Sequence, residues 1–154
     1  NIDLHHPERY AAIGSFSGAL DMGALLEEGR KNEVIKPIFA PVMGDTLTLS
    51  ETSDLLAMAK KVASLPAEKQ PKFFVTCGDS DDTDMQILTQ TKSFVDAATK
   101  AGLPLTFRTW PGVHEWNFWD RSLAEFIGFV QNSDYGNRKR GDWSSNHTIN
   151  EDFK

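Results

Sequence analysis

A chain of 154 residues with 40% hydrophobic and 25% charged residues has the size and balance of one globular domain with a buried core. The formal net charge of -6 argues against the concentrated basic surface that nucleic-acid binding requires, and no apolar run is long enough to cross a bilayer. We therefore expect a single domain with no nucleic-acid partner and no membrane partner.

The first third of the chain begins with a predicted helix end, a buried strand and a short helix. Pro7 ends the first segment, because proline cannot continue an α-helix. Small and apolar residues from Tyr10 to Ser17 predict a strand that is buried on both faces. Asp21 is placed to cap a helix that ends near Gly29. The prolines and the glycine between Lys36 and Ser50 predict a loop with short pieces of structure.

Helices and strands alternate in the rest of the chain. The patterns predict a helix over Ser53–Leu65, a strand over Lys72–Cys77, a helix over about Thr83–Lys100, a strand over Leu105–Trp110 and a helix over about Trp116–Gln131. This alternation predicts an α/β fold with a parallel sheet and right-handed crossovers.

The end of the chain combines an amphipathic helix with a polar segment. The last predicted helix has one apolar stripe, formed by Trp119, Leu123, Phe126, Ile127 and Val130. From residue 132 the composition turns polar. We therefore expect a folded domain over residues 1–131 and a loosely held tail over residues 132–154.

The number of predicted strands is small for a parallel sheet, since about five or six strands are typical. Both edges of a three-stranded sheet would expose apolar backbone that folded proteins normally pair or cover. We therefore expect further strands of the same domain upstream, outside this sequence.

Two loops that follow predicted strands carry residues suited to acyl transfer. Hydrolysis by a serine requires a hydroxyl nucleophile, an imidazole that carries its proton and a carboxylate that orients the imidazole. His114 lies in a loop after the third strand, and the second strand is followed by four candidate carboxylates, Asp79, Asp81, Asp82 and Asp84. Because such loops meet at one edge of a parallel sheet, an acid and base pair is predicted there. Asp84 also suits a helix cap.

Two other interpretations of these segments fit the residues less well. The run Gly14–Gly18 has the outline of a nucleophile elbow, but Phe16 occupies the serine position, so Ser15 and Ser17 are poor candidates. The run Asp79–Asp84 has the carboxylates of a calcium site, but it lacks the sixth-position glycine and the distal glutamate of an EF-hand. We expect no metal and no cofactor.

Cys77 is the single cysteine of the chain, so an internal disulfide is excluded. It lies on a predicted buried strand, where an unreactive core thiol is expected. A lone thiol is compatible with a reducing compartment, and we expect a cytoplasmic location.

Three segments together resemble the tributyrin esterase and esterase D (S-formylglutathione hydrolase-like) family of α/β-hydrolases: His6-Pro-Glu-Arg-Tyr-Ala-Ala-Ile-Gly-Ser-Phe-Ser-Gly-Ala-Leu20, Cys77-Gly-Asp-Ser-Asp81 and Gly112-Val-His-Glu-Trp-Asn-Phe-Trp119. The resemblance implies the carboxyl-terminal portion of a three-layer α/β-hydrolase fold, with about three parallel strands and flanking helices. It matches Asp81 to the acid of the triad, with Asp79 as second choice, and His114 to the base. The serine nucleophile and the oxyanion loop would both precede Asn1.

In function, the resemblance implies a carboxylic ester hydrolase that acts on short acyl or acetyl esters and is completed by the amino-terminal part of the same domain. The partner would be a small-molecule ester. Trp116 and Trp119 are expected in the core rather than against substrate, because aromatics at this helical spacing are usually buried. The competing hypothesis is a non-catalytic α/β binding module that uses the pocket near Asp81 and His114. The oligomeric state is left open.

Overall fold

A parallel sheet of three strands organises the chain. The computed structural model describes residues 2–34, 36–82 and 85–135. Strands β1 (Ala12–Phe16), β2 (Lys72–Gly78) and β3 (Leu105–Trp110) lie side by side in that order, and both pairings are parallel. The strands therefore end at one edge of the sheet, and the predicted strands over Lys72–Cys77 and Leu105–Trp110 are confirmed.

Helices cover both faces of the sheet. They are α1 (Ile2–His5), α2 (Met22–Gly29), α3 (Lys36–Met43), α4 (Leu55–Ala63), α5 (Ile87–Lys100) and α6 (Trp116–Tyr135), with two single-turn 3₁₀ helices at Pro7–Arg9 and Ala67–Lys69. Residues of α4 and α5 pack on one face and residues of α6 on the other, so the chain forms three layers. Among the described residues, no helix is both long enough and apolar enough to cross a membrane.

The core lies on both sides of β2. Phe73 and Val75 belong to the cluster that β2 forms with α4 and α5, whereas Phe74 points to the opposite face and contacts Phe126 and Phe129 of α6. Successive side chains of a strand point to opposite faces, so a central strand needs apolar residues at every position. This explains why β2 is mostly apolar from Phe73 to Cys77, where Thr76 is the one polar residue and is buried too.

Aspartate side chains fix the starts of two helices. Oδ1 of Asp21 accepts a hydrogen bond of 3.2 Å from the backbone N–H of Ala24 at the start of α2. Oδ1 of Asp54 accepts one of 3.0 Å from the N–H of Ala57 at the start of α4. Each bond satisfies an N–H that has no partner within its helix. The predicted cap at Asp21 is confirmed.

The segment from Lys36 to Ser50 contains a helix where the sequence predicts a loop. Pro37 lies in the first turn of α3, where the missing N–H would have no helical partner in any case. Pro41 lies inside α3, and the helix ends two residues later, before Gly44, whose φ of 77° is left-handed. The loop prediction was wrong because it treated both prolines as breakers regardless of their position.

Helix α5 begins later than the sequence predicts. Its first residue is Ile87, and the preceding Gln86 has a left-handed φ of 51°. Asp82 holds the first turn instead, since its carboxylate accepts from the N–H of Thr89 at 3.1 Å and from the Thr89 hydroxyl at 2.8 Å. The predicted role of Asp84 as a cap lies outside the described residues.

The apolar stripe predicted for the last helix coincides only in part with its buried face, and Phe126 is the member that packs against the sheet. Leu123 and Ile127 are about half exposed, whereas Phe118 and Ser122 are buried against the sheet. The helix has apolar residues on both faces, so its periodicity could not decide which face packs. Helix α6 also extends to Tyr135, beyond the predicted start of the tail at 132, and the remainder of that segment lies outside the described residues.

Candidate active site

The acid loop (residues 79–86) and the histidine loop (residues 111–115) leave neighbouring strands side by side. Gly78, the last residue of β2, lies opposite Trp110, the last residue of β3. Two further backbone bonds continue this pairing past the strand ends: the N–H of Asp79 donates to the Trp110 carbonyl at 3.2 Å, and the N–H of Ser80 donates to the Gly112 carbonyl at 3.1 Å. The two loops are thus held together before they reach their functional side chains.

A glycine at position 78 permits this close approach. A Cβ atom at Gly78 would lie 2.2 Å from the carbonyl oxygen of Gly112 and 2.6 Å from its carbonyl carbon. These are backbone atoms that cannot rotate away as a side chain can. A side chain at this position therefore requires the histidine loop to move.

Asp81 and His114 meet at the end of these loops. The Nδ1 atom of His114 lies 3.2 Å from Oδ2 of Asp81, and it donates the hydrogen bond if the carboxylate is ionised. The Asp81 side chain is 4% exposed and the His114 side chain 51%. Among the described residues, Nε2 of His114 has no hydrogen-bond partner. The imidazole is thus anchored on one side and open on the other.

The backbone of Asp81 is fixed on both sides. Its N–H donates to the carbonyl of Gly78 at 3.3 Å, and its own carbonyl accepts from the N–H of Leu88 at 2.8 Å. The thiol of Cys77 lies 4.0 Å from Oδ2. The carboxylate is therefore held in a largely dry position where it can orient an imidazole and stabilise its positive form.

The other candidate acids make different contacts. Oδ1 of Asp79 accepts from the backbone N–H of Gly112 at 3.4 Å and from the Ser80 hydroxyl at 3.0 Å. Asp82 caps α5 through Thr89. Asp84 lies outside the described residues. Of the four aspartates, Asp81 is the one that the described structure places on His114.

Two tryptophans lie beside the imidazole. The ring of Trp119 meets the His114 ring edge-on with centroids 5.0 Å apart, and Trp116 meets Trp119 at the same centroid distance. Trp116 is 76% exposed, so its predicted place in the core was wrong. Trp119 is partly buried, and no sequence pattern predicts its contact with the imidazole because the two residues lie on different elements.

Serines and metal ligands give no alternative centre in the described part of the chain. Ser17 has a left-handed φ of 53° at the end of β1, and it is buried. Its hydroxyl makes no hydrogen bond to His114. Within residues 2–34, 36–82 and 85–135, no three His, Cys, Asp or Glu side chains are grouped to hold a metal ion.

Cys77 is buried between the sheet and the acid loop. Burial raises the pKa of its thiol, the charges of Asp81 and Asp82 raise it further, and the nearby hydroxyls of Thr91 and Ser17 oppose this shift. The raised pKa keeps the thiol protonated at neutral pH. The thiolate is the reactive form, so both burial and charge protect this side chain.

We expect Cys77 to resist alkylation in the native protein. Iodoacetamide at about pH 8 should label it slowly in buffer and rapidly in a denaturing concentration of urea, because unfolding restores both access and the ordinary thiol pKa. Mass spectrometry of the peptide that contains Cys77 measures the labelled fraction. Equal labelling with and without urea would contradict a buried, protonated thiol.

Comparisons with known proteins bear on the family and the fold of the chain. A protein-family model described as "Putative esterase" matches residues 1–130. The chain belongs to this family. A solved ferulic acid esterase shares the fold of this esterase-family chain with a TM-score of 0.54 and 23% sequence identity. The match covers 83% of the chain and 44% of the ferulic acid esterase, so the chain spans less than half the length of that protein.

The esterase-family chain has the architecture expected of part of an α/β-hydrolase fold. Its three parallel strands form one open sheet with helices on both faces. A search of curated proteins found none that matches the chain. The family is thus shown by the family model, and the fold is shown by the solved ferulic acid esterase and by the sheet itself.

Proposed function

We propose that the protein is a carboxylic ester hydrolase of the serine type, with Asp81 as the acid and His114 as the base of its triad. The observation that carries the proposal is the contact of 3.2 Å between Nδ1 of His114 and a nearly buried carboxylate, at neighbouring strand ends in an esterase-family chain. The open Nε2 atom is the one that would face a nucleophile.

The proposed chemistry follows from the two ring nitrogens. Nε2 of His114 takes the proton of a serine hydroxyl as the oxygen attacks the ester carbonyl, and it then returns the proton to the leaving alcohol. Water releases the acyl group by the same route. Asp81 fixes the tautomer in which Nε2 is free to accept, and it stabilises the imidazolium that forms at each step.

We propose that the serine and the oxyanion donors lie upstream of residue 1, outside this sequence, as the resemblance of residues 6–20 to the family implies. Two observations support this assignment: no described serine is bonded to His114, and β1 has a strand on only one side within the described sheet. Residues 1–154 alone are then proposed to be inactive, because the groups that lower the barrier most would be missing.

The proposed substrates are short acyl or acetyl esters, and tributyrin esterase and esterase D relatives are the proposed subfamily. The motifs from Cys77 to Asp81 and from Gly112 to Trp119 support this choice. The ferulic acid esterase shares the fold and is named for an aromatic acyl ester, which supports the broader class of carboxylic esters.

The test is covalent labelling combined with turnover. The intact protein should hydrolyse p-nitrophenyl acetate and butyrate faster than the octanoate, and a fluorophosphonate should inactivate it by labelling one serine. Peptide mapping should place the label outside residues 1–154. A label on Ser15 or Ser17 would contradict the assignment of the nucleophile, and absence of both turnover and labelling would favour the non-catalytic binding module.

A further inference from the structure

Within the described residues, the acid loop and the histidine loop are joined by one side-chain bond besides the Asp81–His114 contact itself. Oδ1 of Asp79 accepts from the backbone N–H of Gly112 at 3.4 Å. The Ser80 hydroxyl donates to the same oxygen at 3.0 Å. Among the described residues, the bonds from Gly112 and Ser80 are the ones that fix the Asp79 carboxylate, and neither of them involves His114.

Gly112 is held from both sides as a result. Its carbonyl accepts from the N–H of Ser80 at 3.1 Å, and its N–H donates to Asp79. Glycine has the greatest backbone freedom of any residue, so an unrestrained Gly112 would let the loop rotate. His114 follows two residues later. Restraint of the Gly112 backbone therefore limits where the imidazole can lie relative to Asp81.

We propose that Asp79 is a positioning residue: its Oδ1 atom holds the backbone of Gly112 and thereby sets the distance between Nδ1 of His114 and Oδ2 of Asp81. The role in turnover rests on the proposed function, whereas the role in loop geometry does not. Asp79 acts through a neutral backbone N–H, a donor that amide and carboxylate oxygens both accept well, so the position of its oxygen matters more than the strengthening that its negative charge adds.

Two substitutions separate position from charge. Asp79→Asn keeps an oxygen at Oδ1 and removes the charge, while Asp79→Glu keeps the charge and moves the oxygen by one methylene. Both side chains are polar and the site is exposed, so both variants are expected to fold. Asp96→Asn removes a charge from an exposed position on α5 and serves as the control for net charge.

The readouts are kcat and KM for p-nitrophenyl acetate in the intact protein, and the NMR resonance of the Nδ1 proton of His114. Asp79→Asn and Asp96→Asn should keep both near the wild-type values. Asp79→Glu should lower kcat by about tenfold to a hundredfold with little change in KM, because a misplacement of about 1 Å has effects of that size. Its Nδ1 proton signal should broaden or shift upfield.

Every other pattern overturns the proposal. If Asp79→Asn loses kcat and Asp79→Glu keeps it, the effect belongs to the charge. If both variants lose kcat, the role requires the carboxylate itself. Retention in both would show that the bond to Gly112 does not position His114. If the intact protein hydrolyses no ester, the proposed function fails, but the Nδ1 proton signal still decides whether Asp79 sets the contact.

Discussion

Replacing His114 with alanine should lower kcat for ester hydrolysis by about 10⁵-fold to 10⁶-fold, which is the scale of losing the base of a serine-hydrolase triad. The imidazole is the group that would take the hydroxyl proton, and among the described residues no other basic side chain contacts Asp81. Initial rates with p-nitrophenyl acetate, at enzyme concentrations high enough to detect residual turnover, measure the loss.

The loss in the His114 variant should occur without unfolding. The His114 side chain is 51% exposed, so its removal leaves no cavity of the kind that destabilises a core. His6→Ala is a matched control, because the His6 side chain is 50% exposed and belongs to a different part of the surface. Both variants should have similar urea midpoints, but the His6 variant should keep full activity.

Asp81→Asn tests whether the two residues act as a unit. The amide keeps the shape of the side chain but cannot fix the same imidazole tautomer, and a loss of about 10⁴-fold in kcat is expected. Since Asp81 acts through His114, adding Asp81→Asn to His114→Ala should cost little more. Additive losses in the double variant, or unchanged activity in His114→Ala, would contradict the proposed triad.

The meeting of Asp81 and His114 was predictable because it depends on topology. Parallel strands joined by crossovers end at one edge of a sheet, so a carboxylate and an imidazole that follow neighbouring strands are brought close. The apolar patterns predicted the parallel sheet and the burial of β2, whereas the strand order and the register of Gly78 opposite Trp110 came from the structure. Residue patterns therefore located the pair, and the resemblance distinguished Asp81 from Asp79.

Other features depend on contacts that no local pattern encodes. Helix α3 accommodates Pro37 because this residue falls in its first turn, a position that can be known only once the helix start is known. The packed face of α6 is selected by the ring of Phe74 on the sheet, since the helix has apolar residues on both faces. The close approach of Gly78 to Gly112 brings the end of β2 against the histidine loop, and neither glycine alone predicts it from the sequence.

That close approach at Gly78 leads to a prediction with a large effect at a residue that has no side chain of its own. Gly78→Ala should lower kcat by about a hundredfold or more, because its Cβ would lie 2.2 Å from the Gly112 carbonyl oxygen and the histidine loop would have to move. It should also destabilise the fold by about 1–3 kcal/mol, the usual cost of inserting a methyl group into a packed site. Initial rates and urea unfolding measure the two effects.

Gly128→Ala is the matched control for the same added methyl group. Gly128 lies inside α6, and an alanine Cβ there would meet no atom of a neighbouring described element within 4 Å. Alanine should therefore raise the free energy of unfolding by about 0.5–1 kcal/mol through its higher helix propensity, and activity should not change. Equal activity of Gly78→Ala and Gly128→Ala would contradict the prediction. The histidine loop would then tolerate displacement without loss of activity, so its close contact with Gly78 would not be what holds His114 against Asp81.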